Sequence, residues 1–355
     1  MCLKHLDYRD RMINLWVDYC GFLLVWIFMK ISYLLIIIMG RLVSIRGSYW
    51  IVVWLGLEVN MISFVGYVGM VRRVGSEAIM RYFIIQVVGS LIIFFLGVYG
   101  IYGSGVVGDL FLGSYLIFMV LALRVGIRPF HFWFPVVMGG LGWDGVLILM
   151  TWQKVALLGL MMMIEVNFYV ILFLGLASVF IGGVGGYNQM IVRGLLSYSS
   201  ISHIGWIVVA IGLSESVRLL YFLIYVLIRV VVVVMLRVGG RVYISQVVFG
   251  GRVILCGVFY LIILSLGGLP PFLGFLGKWV VLLIIIEVGV AVFGGFIMIF
   301  GLVNLYYYLR IGYTSLAMWG GYGVWQVLSF SVYLKLWLIF IMIMFGIPLM
   351  IYFIL

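Results

Sequence analysis

The sequence predicts an all-α integral membrane protein. Of its 355 residues, 67% are hydrophobic and only 9% are charged, and the mean hydropathy is +1.37. Apolar runs long enough to cross a bilayer as helices recur from Tyr19 to the C-terminus. A chain of this composition is not expected to stay soluble, and spans joined by short loops leave little room for a soluble domain. Chemistry on large soluble substrates is therefore not expected.

About eleven transmembrane helices are predicted, because a chain of this length holds roughly 11 spans of about 20 residues with short connections. Pro270 and Pro271 break the ninth span, since proline removes a backbone donor and frees carbonyls of the preceding turn. Discontinuous helices of this kind are characteristic of ion transporters. The predicted spans are residues 19–43, 49–71, 79–102, 110–126, 145–164, 168–186, 195–213, 219–236, 253–287, 290–309 and 329–354.

Two regions are predicted along the chain. Residues 1–18 form a polar N-terminal extension, and residues 19–355 form a single transmembrane helical domain. The extension shows no clear signal peptide, which would need a basic segment, a short apolar stretch and a small-residue cleavage site. We interpret it as an exposed surface extension with few contacts to the rest of the chain, or as sequence upstream of an alternative start at Met29.

Composition argues against several kinds of ligand. The net charge of +11 is spread over the loops and does not form a basic stripe alternating with aromatics, so no nucleic-acid partner is expected. Cys2, Cys20 and Cys256 are too scattered for an iron–sulfur site or an obvious disulfide framework. The segment GGVGGYNQ at residues 182–189 lacks the Lys-Ser/Thr of a phosphate loop and is better explained by close helix packing. No flavin, iron–sulfur cluster, nicotinamide or metal is therefore expected on this chain.

Four lone charges interrupt apolar runs and are the first candidate site residues: Glu58, Arg124, Lys154 and Lys278. A charge at membrane depth is costly, so it usually faces a bundle interior and takes part in ion movement. A buried lysine is poised to exchange its proton, because desolvation disfavours its charged form and a nearby carboxylate favours it. The pattern predicts a proton relay of inward-pointing side chains at similar depth. The alternative is a set of static ion pairs that fix helix packing.

His203 is the fifth candidate residue. It is flanked by serine hydroxyls that would order a water chain, and histidine titrates near neutral pH. A proton shuttle and a histidine that is simply hydrogen-bonded to a neighbouring helix remain equally open. His131 lies beside a proline break and is interpreted as structural. Lys30 and Arg229 are expected to extend towards the membrane interface rather than to take part in transport.

Five sequence blocks carry a family resemblance. The chain contains WLGLEVNMISF at residues 54–64, RPFHFWFP at 128–135, LILMTWQKVA at 147–156, YNQMIVRGLLSYSSISHIGW at 187–206 and LSLGGLPPFLGFLGKW at 264–279. In this order they resemble subunit 2 of mitochondrial NADH:ubiquinone oxidoreductase, complex I. The resemblance covers about residues 50–309 and is weaker towards the C-terminus.

The resemblance implies an antiporter-like, proton-translocating subunit of the complex I membrane arm in the inner mitochondrial membrane, related to Mrp-type antiporter subunits. It implies functional roles for Glu58, Lys154 and Lys278. The family lysine falls on Arg124, and an arginine, with a pKa above about 12, keeps its proton, so an electrostatic role is implied there instead.

The resemblance also implies the partners. NADH, FMN, the iron–sulfur clusters and ubiquinone would belong to partner subunits, and this chain would contact other membrane-arm subunits and lipids. Two other functions remain open: a stand-alone secondary cation/proton antiporter and a purely structural membrane subunit.

Overall fold

A computed structural model describes residues 26–70, 75–102, 107–239, 243 and 253–317. The predicted extension at residues 1–18 and the predicted span at residues 329–354 lie outside these residues. A helical stretch, α1, comes first and is followed by twelve further helices. Their bounds are α1 Trp26–Arg46, α2 Trp50–Gly69, α3 Ser76–Tyr102, α4 Val107–Val125, α5 Trp133–Gly140, α6 Trp143–Met150, α7 Trp152–Met162, α8 Phe168–Tyr187, α9 Val192–Leu213, α10 Glu215–Gly239, α11 Val253–Gly267, α12 Leu273–Glu287 and α13 Ala291–Ala317.

Eight helical stretches of the described residues are long and apolar enough to cross a membrane. They correspond to α1, α2, α3, α6 together with α7, α8, α9, α10 and α13. The all-α membrane class is thus supported, but the expected number of about eleven spans is not confirmed. One reason is that the predicted span at residues 329–354 lies outside the described residues. Another is that the predicted span at residues 253–287 is divided into α11 and α12, each of only 15 residues.

Two helix breaks lie within predicted spans. α11 ends at Gly267 and α12 begins at Leu273, so the predicted break at Pro270 and Pro271 is confirmed. Gly268, in the break, has a φ of +77°, a conformation that glycine adopts without strain. The second break was not predicted. It separates α6 from α7 at Thr151, whose ψ of −77° departs from helical geometry.

Helix α9 lies at the centre of the bundle. Nearly all its side chains from Val192 to Ile211 are buried, and it packs against α5, α7, α8, α10, α12 and α13. Its tightest contact is with α8, where a Cβ added to Gly205 would lie 2.7 Å from the carbonyl oxygen of Gly175. At Gly182 an added Cβ would lie 2.6 Å from the Cβ of Ser202. The glycine-rich segment of α8 therefore packs closely against α9, as expected for small residues between membrane helices.

A second close approach joins α1 to α2. A Cβ added to Gly40 would lie 2.9 Å from the backbone nitrogen of Asn60, and one added to Gly56 would lie 2.6 Å from that of Ser44. Glycine on both helices lets the two backbones come together. As a consequence, Arg41, the residue after Gly40, is buried in the bundle.

Replacing Gly205 by alanine should destabilise the bundle. The added methyl group has no space at the contact with Gly175, and such overpacking costs about 1–3 kcal/mol. Gly295→Ala is the matched control, because nothing lies within 4 Å of a Cβ added there. We expect a lower thermal unfolding midpoint for the purified assembly with Gly205→Ala alone. Equal midpoints for the two variants would contradict the packing described for α8 and α9.

Candidate functional site

Four of the five predicted site residues are buried. The exposed fraction is 3% for Arg124, 2% for Lys154, 6% for His203 and 6% for Lys278. They come from four helices, namely α4, α7, α9 and α12 in that order. Glu58 on α2 differs, because it is partly exposed in the isolated chain. The cations among the four predicted charges are therefore buried in the bundle, as expected, whereas Glu58 is only partly buried.

Lys154 is held at the break between α6 and α7. Its ammonium donates a hydrogen bond to the hydroxyl of Tyr225 at 3.1 Å, and that hydroxyl donates to the carbonyl of Met150 at 3.3 Å. Met150 is the last residue of α6, so its carbonyl lies at the negative end of the helix. The ammonium also lies 4.8 Å from the ring centroid of Phe134, within cation–π range. Lys154 is thus held by neutral groups.

Lys278 is held in the same way at the second break. Its ammonium donates to the carbonyl oxygen of Gly267 at 2.8 Å, and Gly267 is the last residue of α11. The helix break had been expected to free this carbonyl, because Pro271 has no N–H to donate. The lysine itself supplies the missing donor. Gly268 leaves room for it, since an added Cβ there would lie 2.8 Å from the lysine nitrogen.

His203 lies between the two lysines. Its Nδ1 is 3.0 Å from the hydroxyl of Tyr221, and its ring lies 5.6 Å from that of Tyr225, between centroids. It also lies near the backbone of Leu266, next to the Gly267 carbonyl that accepts the hydrogen bond from Lys278. The expected hydrogen bond to a neighbouring helix is therefore present. A shuttle role is still compatible with this geometry.

The serine hydroxyls beside His203 were predicted to order a water chain, but they form hydrogen bonds within the protein. The hydroxyls of Ser199, Ser200 and Ser202 donate to carbonyls of their own helix, three residues earlier. The Ser199 oxygen also accepts a hydrogen bond from Arg229 at 2.8 Å. These hydroxyls thus already have protein partners within α9.

Arg229 was wrongly placed by the sequence prediction. It is fully buried, with an exposed fraction of 0%, and it donates to Ser199 and to the carbonyl of Leu196 at 3.4 Å. It interacts electrostatically with both Lys154 and His203. Tyr221, Tyr225 and Arg229 are spaced by four residues, so they share one face of α10. That spacing was the signal that could have identified this face from the sequence.

Arg124 lies at the end of α4, where its side chain contacts α3. Its guanidinium donates to the carbonyl of Gln86 at 2.7 Å, and Gly89 provides space for the side chain against α3. Glu58 interacts with Arg124 electrostatically. Among the described residues, however, no salt bridge of Glu58 within 4.0 Å is present. The two groups are therefore neighbours that are not in direct contact.

Arg41 is a further buried cation that the sequence analysis did not select. Its guanidinium donates to the side-chain oxygen of Gln153, the residue before Lys154. Arg41, Arg124 and Lys154 line one cavity of about 10 Å³ together with Gln153. The criterion that selected Glu58, a charge in an apolar run, applies equally to Arg41.

Two further expectations concern the remaining polar residues. His131 is buried, with its Nδ1 3.3 Å from the carbonyl oxygen of Pro129, which agrees with a structural role. Within the described part of the chain, no cluster of three or more His, Cys, Asp or Glu side chains is suited to a metal ion.

A broken membrane helix beside a row of buried cations is the architecture of an ion-translocating membrane protein. The comparisons with known proteins agree with this class. Residues 48–304 match the family model of the transmembrane region of NADH:quinone oxidoreductase and Mrp antiporter proteins. The chain belongs to this family.

Individual proteins of known name are also similar to this chain. The chain is 37% identical to NADH-ubiquinone oxidoreductase chain 2 of Anopheles gambiae, over 79% of this chain and 84% of that protein. It is 32% identical to the chain of the same name in Bos taurus, with 79% and 84% covered.

Two solved structures share the fold. A chain of respiratory complex I from Thermus thermophilus matches with a TM-score of 0.73 and 24% identity, over 81% of this chain and 70% of that one. A chain of the Mrp complex from a Dietzia species matches with a TM-score of 0.68 and 18% identity, over 80% and 59%.

The Tyr225 hydroxyl is the group whose removal best tests the geometry around Lys154. In Tyr225→Phe, the buried ammonium and the Met150 carbonyl both lose a partner, which costs about 1–3 kcal/mol for an unsatisfied buried group. We expect a lower unfolding midpoint. Tyr313→Phe is the control, because Tyr313 is 65% exposed. Equal effects of the two substitutions would show that Tyr225 does not hold the lysine.

Proposed function

We propose that this chain translocates protons as an antiporter-like subunit of the membrane arm of respiratory NADH:ubiquinone oxidoreductase. The relatives that it matches over most of its length carry the name of chain 2 of that enzyme. The chain is a multi-pass protein of the mitochondrial inner membrane, next to other membrane-arm subunits and lipids. NADH oxidation and ubiquinone reduction take place on partner subunits, which hold the FMN, the iron–sulfur clusters and the quinone.

The observation that carries the proposal is a series of titratable side chains that connects the two helix breaks. Lys154 contacts Tyr225, and the Tyr225 ring packs beside His203. His203 lies near the backbone of Leu266, and Lys278 binds the carbonyl of the next residue, Gly267. Lysine, tyrosine and histidine all carry exchangeable protons. Water molecules between them would complete a path for protons across the centre of the bundle.

Electrostatic repulsion provides the coupling within this path. Lys154 and Lys278 each lie close enough to His203 to interact with it, and Arg229 adds a permanent positive charge beside Lys154 and His203. At low effective dielectric, two positive charges a few ångströms apart repel by several kcal/mol. A proton that reaches one of these groups therefore promotes release from another, and net transfer follows if entry and exit are on opposite sides of the membrane.

Glu58 and Arg124 have a different role in this proposal. Arg124 keeps its proton and acts as a fixed charge, and it shares a cavity with Lys154. A movement of the Glu58 carboxylate towards or away from Arg124 would change the electrostatic potential at that cavity. Such a movement, driven by quinone reduction in a neighbouring subunit, would make Lys154 gain or lose a proton. The relay of Glu58, Arg124, Lys154, Lys278 and His203 would thus be coupled to redox chemistry without a cofactor on this chain.

Replacing Lys278 by methionine should reduce the rate of proton pumping more than it reduces assembly of the complex. Methionine fills a similar apolar space but carries no proton, and the Gly267 carbonyl loses its donor. We expect the pumping rate in proteoliposomes to fall at least about tenfold, which corresponds to about 1.4 kcal/mol in the barrier. The amount of assembled complex should change little.

Lys30→Met is the matched control, because Lys30 is only partly buried and packs over Trp26 on α1. Its pumping rate should equal that of the unsubstituted complex. Normal pumping by a fully assembled Lys278→Met complex would remove Lys278 from the path and favour a purely structural role for this bundle.

Isolation in mild detergent distinguishes the proposed function from that of a stand-alone cation/proton antiporter. A membrane-arm subunit should migrate in native gels with a very large assembly that oxidises NADH. Recovery of the chain only in small particles without NADH oxidation would favour the antiporter.

A further inference from the structure

The cavity beside Arg124 is lined by an unusual set of charges. Two guanidinium groups, those of Arg41 and Arg124, line it together with the ammonium of Lys154. Both arginines are 97% buried, since each has an exposed fraction of 3%. Among the described residues that line the cavity, there is no carboxylate. Arginine stays charged in proteins, so at least two positive charges face this space.

The protein partners of the two arginines are neutral. Arg41 donates to the side-chain oxygen of Gln153, and Arg124 donates to the backbone oxygen of Gln86. Nη1 of Arg41 and Nε of Arg124 are buried without a hydrogen-bond partner among the described residues. A buried charge is strongly destabilising unless it is paired and hydrogen-bonded. The nearby Glu58 does not line the cavity, and one carboxylate offsets one guanidinium at most.

We propose that the cavity between Arg41 and Arg124 binds a small monovalent anion with the chemistry of chloride. The cavity of about 10 Å³ admits a group the size of about one water molecule, which suits a monatomic anion and excludes phosphate. Charge-assisted hydrogen bonds from guanidinium N–H groups are the strong interactions that such an ion would form. The side-chain amides of Gln86 and Gln153 line the same space and add further donors.

The proposed anion would change the charge in the surroundings of Lys154. The anion would lie in the cavity that Lys154 also lines. By offsetting the charge of Arg41, it would leave Arg124 and Glu58 to balance each other. The anion would therefore keep the surroundings of Lys154 from carrying an excess positive charge.

Bromide is the probe that tests the site, because its anomalous X-ray scattering distinguishes it from water. Anomalous difference maps from crystals of the complete complex are compared after equilibration in sodium bromide and in sodium gluconate at equal ionic strength. We expect a strong anomalous peak between the guanidinium groups of Arg41 and Arg124 in bromide alone. Addition of excess chloride to the bromide sample should remove this peak.

Two substitutions on the same helix provide the matched comparison. Arg41→Gln removes one of the two guanidinium groups and should abolish the bromide peak. Arg46→Gln should retain it, because Arg46 is exposed at the end of α1. If the Arg41→Gln complex does not assemble, the maps of the unsubstituted complex in the two salts decide the question alone.

Three results would overturn the proposal. The first is equal density of water strength in both salts, which would show that the cavity holds water. The second is an empty cavity in bromide, and the third is an equally strong bromide peak in Arg41→Gln. Occupancy is read directly from the maps, so the outcome does not depend on whether the chain translocates protons.

Discussion

The structure depends on the stabilisation of buried cations by backbone carbonyls. Lys278 binds the carbonyl at the end of α11, and Lys154 reaches the end of α6 through the Tyr225 hydroxyl. Arg124 and Arg229 also donate to carbonyls. The end of a helix leaves its last four carbonyls without partners in the helix and carries a partial negative charge. A helix that ends inside the bundle therefore provides a partner for a cation where no carboxylate is close enough.

This type of partner suits a group that must exchange protons. A buried ion pair of lysine and carboxylate is strongly destabilised when either member changes its charge. A carbonyl, by contrast, is a neutral acceptor, and a neutral amine can still donate a hydrogen bond to it. The lysine can therefore lose and regain its proton while its position is maintained. The broken helix supplies this property at Lys278, and the irregular geometry at Thr151 supplies it near Lys154.

The sequence predicted the features that follow from local chemistry. Two consecutive prolines determine where α11 ends, and lone charges in apolar runs identified Arg124, Lys154 and Lys278 as buried. Features of helix packing were missed, because these depend on which face of a helix contacts which neighbouring helix. Arg229, on α10, was expected at the membrane interface. Instead it is buried against α9, where it donates a hydrogen bond to Ser199. The break between α6 and α7 was missed for a related reason, since apolarity alone does not reveal that a helix ends at Thr151.

The gap between Tyr225 and His203 is the decisive part of the proton path, because their rings are neighbours without a direct hydrogen bond among the contacts described here. A map of the complete complex that resolves ordered water tests this gap most directly. The proposed proton path requires water molecules that connect the Tyr225 hydroxyl to His203 and to the ammonium of Lys278. A map that resolves water elsewhere in the bundle but shows these three groups separated by packed apolar side chains would contradict it.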